Sequence, residues 1–382
     1  MKYVILFITL CCLTTGCTIS RTMPADRMLT ANLNEPMIWR RAKLEQDAIH
    51  NSGILYRDAD LENYLNHIAA KLQKNSGSPV PAIKIKVIKD PTLNAFAFPN
   101  GVIYVHSGIL ARMENEAQLA ALLSHEMVHC IHRHYILAQR SIENRTLAPG
   151  PAFQEVTKLR NRIGRRISTC RFTRELETEA DRVGLDLMVK SNYDPKEILT
   201  LFELMQLEID VEGIREPYFF GTHPPVRQRI YNVNHWLAKN YRGKITGVIN
   251  AETYQSRISR LSLDNVRMDL RRGRFSIAQK TVEKLLVRMP DNARAYYLLG
   301  EILRQRGQHD DAAAAKKYYE KSISLNPSFP EPHKSMGLIH YKDGEKNLAK
   351  KYFESCLLLS PDAIDKAYIQ GYLKLCTTNG EG

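Results

Sequence analysis

Residues 119–131 read Leu-Ala-Ala-Leu-Leu-Ser-His-Glu-Met-Val-His-Cys-Ile, and within that run only Ser124, His125, Glu126 and His129 are strongly polar. A helix made from it is apolar almost all round, so it belongs in an interior. Two imidazoles and a carboxylate are costly there unless each finds a partner, and one divalent metal ion satisfies all three. The spacing fits: residues i and i+4 sit one above the other on a helix, which brings His125 and His129 to one ion. Glu126 points aside, where it can take the proton of a water held at that ion. The plain alternative is a pair of core histidines bonded to carbonyls, because a three-residue match arises by chance in some chains. The charge-poor setting, with no other reason to carry polar groups, favours the metal.

The chain has 382 residues, enough for two or three domains with proper cores. Its formal net charge of +13 suits an anionic partner such as a membrane surface, or simply a solvated basic surface spread over helices. Zinc-finger cysteine spacing and aromatic-rich basic strands are both missing, so no nucleic-acid partner is expected. Residues 1–17 read as a signal peptide: Lys2, a short apolar stretch, then Gly16-Cys17, which resembles the site where a bacterial lipoprotein becomes lipidated on Cys17. Thr14 stands where such sites usually carry an aliphatic residue, so ordinary secretion stays open. Thr18 is not the Asp of many inner-membrane lipoproteins, which points to a periplasmic protein anchored to the outer membrane. Cys356 and Cys376 could bridge in an oxidising compartment, whereas Cys130 reads as a small buried hydrophobe.

Residues 36–75 carry helical signals, Ile38, Ala42, Leu44 and Ala48, then Leu61, Tyr64, Leu65, Ile68, Ala69 and Leu72 at helical spacing. Residues 82–88 alternate as a strand, and Asn100-Gly101 between two apolar runs is a hairpin signal. The hairpin around Asn94, Ala95, Phe96 and Gly101 either offers an edge on which an extended substrate adds by main-chain bonds or merely supports the helix. Residues 142–169, with Ala148-Pro149-Gly150-Pro151 and many Arg, read as a lid beside the site or as a linker.

Two histidines need a third protein ligand if a fourth position is to stay open. In Arg174-Glu-Leu-Glu-Thr-Glu-Ala-Asp181, Glu177 and Asp181 share a helix face flanked by Leu176, Ala180, Val183 and Leu187. Glu175 and Glu179 share another face, where Arg182 suits a solvated ion pair with Glu179. Glu177 is therefore the expected ligand, and Asp181 the carboxylate that holds a ligand His by its other nitrogen.

Together, His125-Glu126-x-x-His129, Glu177-x-x-x-Asp181 and the preceding Asn94-Ala-Phe-Ala-x-Pro hairpin resemble the gluzincin metallopeptidases of the HtpX and CAAX prenyl protease type. The resemblance covers about residues 40–240 and lies with a soluble periplasmic branch in which the protease domain precedes tetratricopeptide repeats. It implies one zinc ion per chain. It also implies that His223, in Gly221-Thr-His-Pro-Pro225, can occupy the open position and keep the enzyme latent, and that Arg229 lines the site. Read without the resemblance, His-Pro-Pro is just a turn.

The C-terminal third repeats itself. Gly273, Gly307 and Gly344 mark turns, followed by Ala278, Ala315 and Ala349, by Val282, Tyr319 and Phe353, and by Pro290, Pro327 and Pro361. The underlying period of about 34 residues is that of tetratricopeptide repeats, with extra residues between Gly307 and Ala315. The first unit is degenerate, carrying Val266 where the others have Gly300 and Gly337, and residues 363–377 look like a capping helix.

The expected protein is mainly α with a small β-sheet: an α+β zincin-like metalloprotease domain over 18–250, then an α-solenoid of about three repeats over 259–382. Its expected activity is zinc-dependent hydrolysis of peptide bonds in misassembled or unfolded envelope proteins. The repeats would recruit partners, among them outer-membrane proteins and their assembly machinery. The competing reading is a latent protease that works mainly as a periplasmic chaperone or assembly factor.

Overall fold

The computed structural model describes residues 35–78, 82–138, 172–212, 225–241 and 246–377. The signal segment with Cys17, the lid-or-linker stretch 142–169 and His223 lie outside the described residues. No described helix is long and apolar enough to cross a membrane.

Helices α1 (Glu35–Asn51) and α2 (Ala59–Ser76) open the chain. Asp58 caps α2 by accepting from the Leu61 amide at 3.0 Å, and Gly77 closes it at φ 65°. Strands β1 (Lys84–Ile88), β2 (Ala95–Ala97) and β3 (Val102–His106) form one sheet in the order β1-β3-β2. β2 and β3 make the antiparallel hairpin read from Asn100-Gly101, with Ala97 opposite Ile103 and Gly101 at φ 87°. β1 pairs with β3 in parallel, Lys84 opposite Val102, so β3 is central and Ile103, Tyr104 and Val105 are fully buried. That leaves β2 at one edge of the sheet.

Helices α3 (Ser107–Arg112) and α4 (Glu116–Ile131) pack on this sheet, and α5 (Arg174–Lys190), α6 (Glu197–Glu212) and α7 (Val226–Tyr241) pack on α4 and on one another. They share one core with α2 and the first half of α8 (Ala251–Arg271), through Tyr254, Ile258 and Leu261. The second half of α8, from Leu263 to Leu270, enters a different core with the helices that follow.

Those helices are α9 (Phe275–Arg288), α10 (Ala293–Arg306), α11 (Asp311–Leu325), α12 (Pro330–Lys342), α13 (Lys346–Leu359) and α14 (Lys366–Thr377). With α8 they form the consecutive pairs α8–α9, α10–α11 and α12–α13, whose turns pass through Gly273, Gly307 and Gly344, all at positive φ, and α14 packs on α13. Gly300 faces Tyr319 and Gly337 faces Phe353 so closely that a Cβ would sit 2.4 Å and 2.7 Å from the ring carbons. The degenerate first unit divides the same volume differently, with Val266 on one helix and Val282 on the other, both fully buried. Extra residues after Gly307 lengthen the α10–α11 turn, since α11 starts only at Asp311. Cys356 and Cys376 are free thiols in the last small core.

A buried ionic network joins the two cores. Arg112 of α3 reaches Glu208 of α6 at 3.0 Å and Asp269 of α8 at 2.8 Å, while Arg274 pairs with both carboxylates. Asn265 donates to Asp269 at 3.0 Å and accepts from Ser107 at 2.9 Å, and Tyr254 donates to the Leu110 carbonyl. Each charge has two partners of opposite sign, the condition under which buried ions hold a geometry.

Candidate metal centre

The apolar run becomes all of α4 beyond its first three residues, and every residue of that helix from Glu116 to Ile131 is buried. Asn115 caps it by accepting from the Gln118 amide at 2.9 Å. Glu116, an anion in the first turn, is satisfied by Tyr64, Tyr193 and Asn250 at 2.7, 2.8 and 2.9 Å. The chain leaves the helix through Arg133, whose left-handed φ of 55° folds His134 back towards His129.

Helix α5 starts at the cap Thr173 and buries Glu177, Ala180, Asp181, Gly184, Leu185, Leu187 and Met188. The buried stripe is rotated from the one read in the sequence, for Leu176 and Val183 are only half-buried. Small residues explain it. A Cβ on Gly184 would lie 3.2 Å from the His125 amide nitrogen, so α5 approaches α4 closely along Ala180 and Gly184 and carries both carboxylates inward.

The result is a tight donor set. His125 Nε2 and His129 Nε2 are 3.1 Å apart, His125 Nε2 is 3.5 Å from Glu177 Oε2, and His129 Nε2 is 3.8 Å from Glu177 Oε1. A tetrahedral ion with bonds of about 2.0–2.1 Å spaces its ligand atoms about 3.3 Å apart, so this triangle fits one. Asp181 Oδ1 lies 2.9 Å from His125 Nδ1 and fixes the tautomer that turns the Nε2 lone pair to the centre. Arg229 reaches from α7 behind it, its Nε and Nη2 donating to the two Asp181 oxygens at 3.0 and 2.6 Å. Glu126 Oε1 is buried beside the triangle and has no hydrogen-bond partner among the described residues. A buried carboxylate oxygen left open next to three converging donors is what an incoming ion and its water would complete.

Residues 57–237 match the description "Peptidase family M48", and residues 263–327 and 335–363 match tetratricopeptide repeats. The chain carries a peptidase M48 domain. Named relatives include the "Mitochondrial metalloendopeptidase OMA1" of Schizosaccharomyces pombe, 30% identical over 51% of this chain and 60% of its own. The "Beta-barrel assembly-enhancing protease" of Escherichia coli is 27% identical over 48% of this chain and 40% of its own. That of Yersinia pestis is 23% identical over 72% and 64%. The chain thus spans less than two thirds of the length of each.

Electrostatics of the M48 domain follow from burial and charge. Burial, with help from the Arg229 cation, lowers the His125 pKa, which keeps the imidazole neutral and able to ligate. Burial pushes Glu177 up to about 7 and Glu126 up to about 8, the latter with repulsion from Glu177. Asp181 goes the other way: burial would raise it, but the Arg229 charge and the His125 hydrogen bond hold it well below the usual carboxylate range. A divalent cation here would bring Glu126 and Glu177 back towards the charged form.

Several neighbours were not legible as site residues. His134 Nδ1 lies 2.9 Å from His129 Nδ1, the counterpart of Asp181 on His125, and the Phe172 ring stacks on His129 with centroids 4.0 Å apart. Glu179 does not form the expected surface pair with Arg182. It turns instead to His132 and His134, and Arg182 lies over the Trp236 ring. Only the extra histidines just after the motif hinted at this. Of the hairpin residues, Ala95 is buried on β2, the Asn94 carbonyl accepts from the His106 amide, and Phe96 packs against Tyr104.

Proposed function

We propose that this protein is a zinc-dependent endopeptidase of the cell envelope, acting on misassembled or unfolded outer-membrane proteins. The observation that carries the reading is the convergence of His125, His129 and Glu177 beside the open carboxylate oxygen of Glu126. In this role His125, His129 and Glu177 hold the ion, and Asp181 and Arg229 keep His125 aimed. A zinc ion so held supplies Lewis-acid polarisation of the scissile carbonyl and of the attacking water. Glu126 Oε1 accepts the proton of that water and later passes it to the leaving amine. The edge strand β2, through Asn94, Ala95 and Phe96 with the turn at Gly101, aligns an extended segment by main-chain bonds. His223 serves as the removable fourth ligand, and a lipid on Cys17 holds the protein at the outer membrane.

The repeats recruit a larger partner, and the name of the relatives in Escherichia coli and Yersinia pestis, with its reference to beta-barrel assembly, supports outer-membrane proteins or their assembly machinery as that partner. The same name favours a second reading, an assembly factor whose protease is mostly latent. Glu126→Gln separates them. The variant is expected to retain metal, lose cleavage of an unfolded protein and fail to restore envelope integrity. Metal-replete Glu126→Gln that still cleaves at the wild-type rate would sink the mechanism; full complementation without cleavage would make assembly the primary role.

A further inference from the structure

Beside the first donor set lies a second of the same composition. His132 Nδ1 is 2.6 Å from Glu179 Oε1, and His134 Nε2 is 3.6 Å from Glu179 Oε2. One ligand atom from each of the three lies within 4.8 Å of the others. The two rings stand at 89° to each other with centroids 5.8 Å apart, so their nitrogens converge instead of stacking. His134 is fully buried, whereas the His132 and Glu179 side chains keep 16% and 20% of their surface exposed. The cluster therefore has a fixed anchor at its base and two ligands that solvent can reach. We propose that His132, His134 and Glu179 form a second divalent-metal site, of the zinc class, coupled to the first through the contact of His134 with His129.

Two imidazoles and one carboxylate select zinc-like ions over magnesium or calcium, which take oxygen ligands. Entry of the ion replaces the hydrogen bond between His132 and Glu179, and their partial exposure lets both side chains open to ligand spacing.

The coupling follows from counting protons on two rings. Neutral His129 with an ion on Nε2 carries its proton on Nδ1, 2.9 Å from His134 Nδ1, which must then accept. His134 accordingly carries its own proton on Nε2, the atom turned to Glu179. A second ion on that Nε2 displaces the proton to Nδ1, where it meets the His129 N–H head on. The second ion thus weakens the outer support of His129, and each site lowers the affinity of the other. This coupling, though not the second site itself, rests on the metal reading of the first set.

The test is a zinc titration of the chelator-stripped full chain by calorimetry, repeated with cobalt(II) to read ligand type from its visible absorption. Wild type is expected to bind two equivalents, the second about 10–100-fold more weakly, the usual cost of disturbing the outer hydrogen bond of a ligand histidine. His132→Ala and the isosteric Glu179→Gln should each keep the first equivalent and lose the second, and Glu177→Gln should do the reverse. A single equivalent in wild type that Glu177→Gln removes, or a second equivalent that persists in both His132→Ala and Glu179→Gln, overturns the second site. A single equivalent that His132→Ala removes and Glu177→Gln leaves in place would support this site while refuting the metal reading of the first.

Discussion

Replacing Gly184 by Ala should damage metal binding while leaving the metal-free fold nearly intact. The added methyl would lie 3.2, 3.3 and 3.4 Å from the His125 nitrogen, the Ser124 carbonyl carbon and the His125 Cα, all backbone atoms of α4. Ordinary contact begins at about 3.4–3.6 Å, so α4 and α5 must part by a few tenths of an ångström at that level. Metal–ligand distances tolerate only about ±0.2 Å, and α5 carries Glu177 and Asp181 while α4 carries His125 and His129. The expected loss of zinc affinity is about 10–100-fold, or about 1.4–2.7 kcal/mol, comparable to other disturbances just outside a metal's ligands. Stability moves less, because Ala gains about 1 kcal/mol of helix propensity against an overpacking cost of about 1–3 kcal/mol. Zinc affinity from chelator competition and urea unfolding of the stripped protein measure the two separately. Gly371→Ala on α14, where the methyl meets nothing within 4 Å, is the control and should leave zinc affinity untouched. Zinc affinity of Gly184→Ala within twofold of wild type would refute the idea that close helix approach sets the site.

Two further outcomes follow from the buried charges. Glu126 and Glu177 have pKa values raised from 4.5 to about 8 and about 7 in the metal-free fold, so between those limits the folded state holds protons that the unfolded chain has released. Their stabilising contribution is full below about 4.5 and is lost as pH rises to about 8; stripped protein should unfold at lower urea at pH 8 than at pH 5.5, and Glu126→Gln should shallow that slope. Asp269→Ala leaves Arg112 and Arg274 to share Glu208 as their one carboxylate between the two cores and should cost about 3–5 kcal/mol. Denaturation should then split into separate transitions for the two cores, and a single transition at the wild-type midpoint would show that the network does not hold them together.

Some of this was determined by the sequence alone. A run that is apolar all round must be buried, and two imidazoles at i and i+4 within it must share a side, whatever packs on them. Glu177 and Asp181 are one helical turn apart for the same local reason, and the 34-residue period sets helix pairs because each pair buries its face only against the next. Tertiary structure decided the rest. Hydrophobic periodicity places the inner face of α5 along Leu176, Ala180, Val183 and Leu187; Ala180 and Leu187 are buried, but close packing at Gly184 leaves Leu176 and Val183 half-buried, since absent side chains are what allow two backbones to approach. The fate of Glu179 was equally non-local: Arg182 was its natural partner along the helix, yet the left-handed turn at Arg133 brings His134 beside His129 and within reach of Glu179. Spacing along one helix predicts which residues share a face; which neighbour meets that face depends on residues far away in the chain, and so do Arg229 on Asp181 and Asp269 between two arginines.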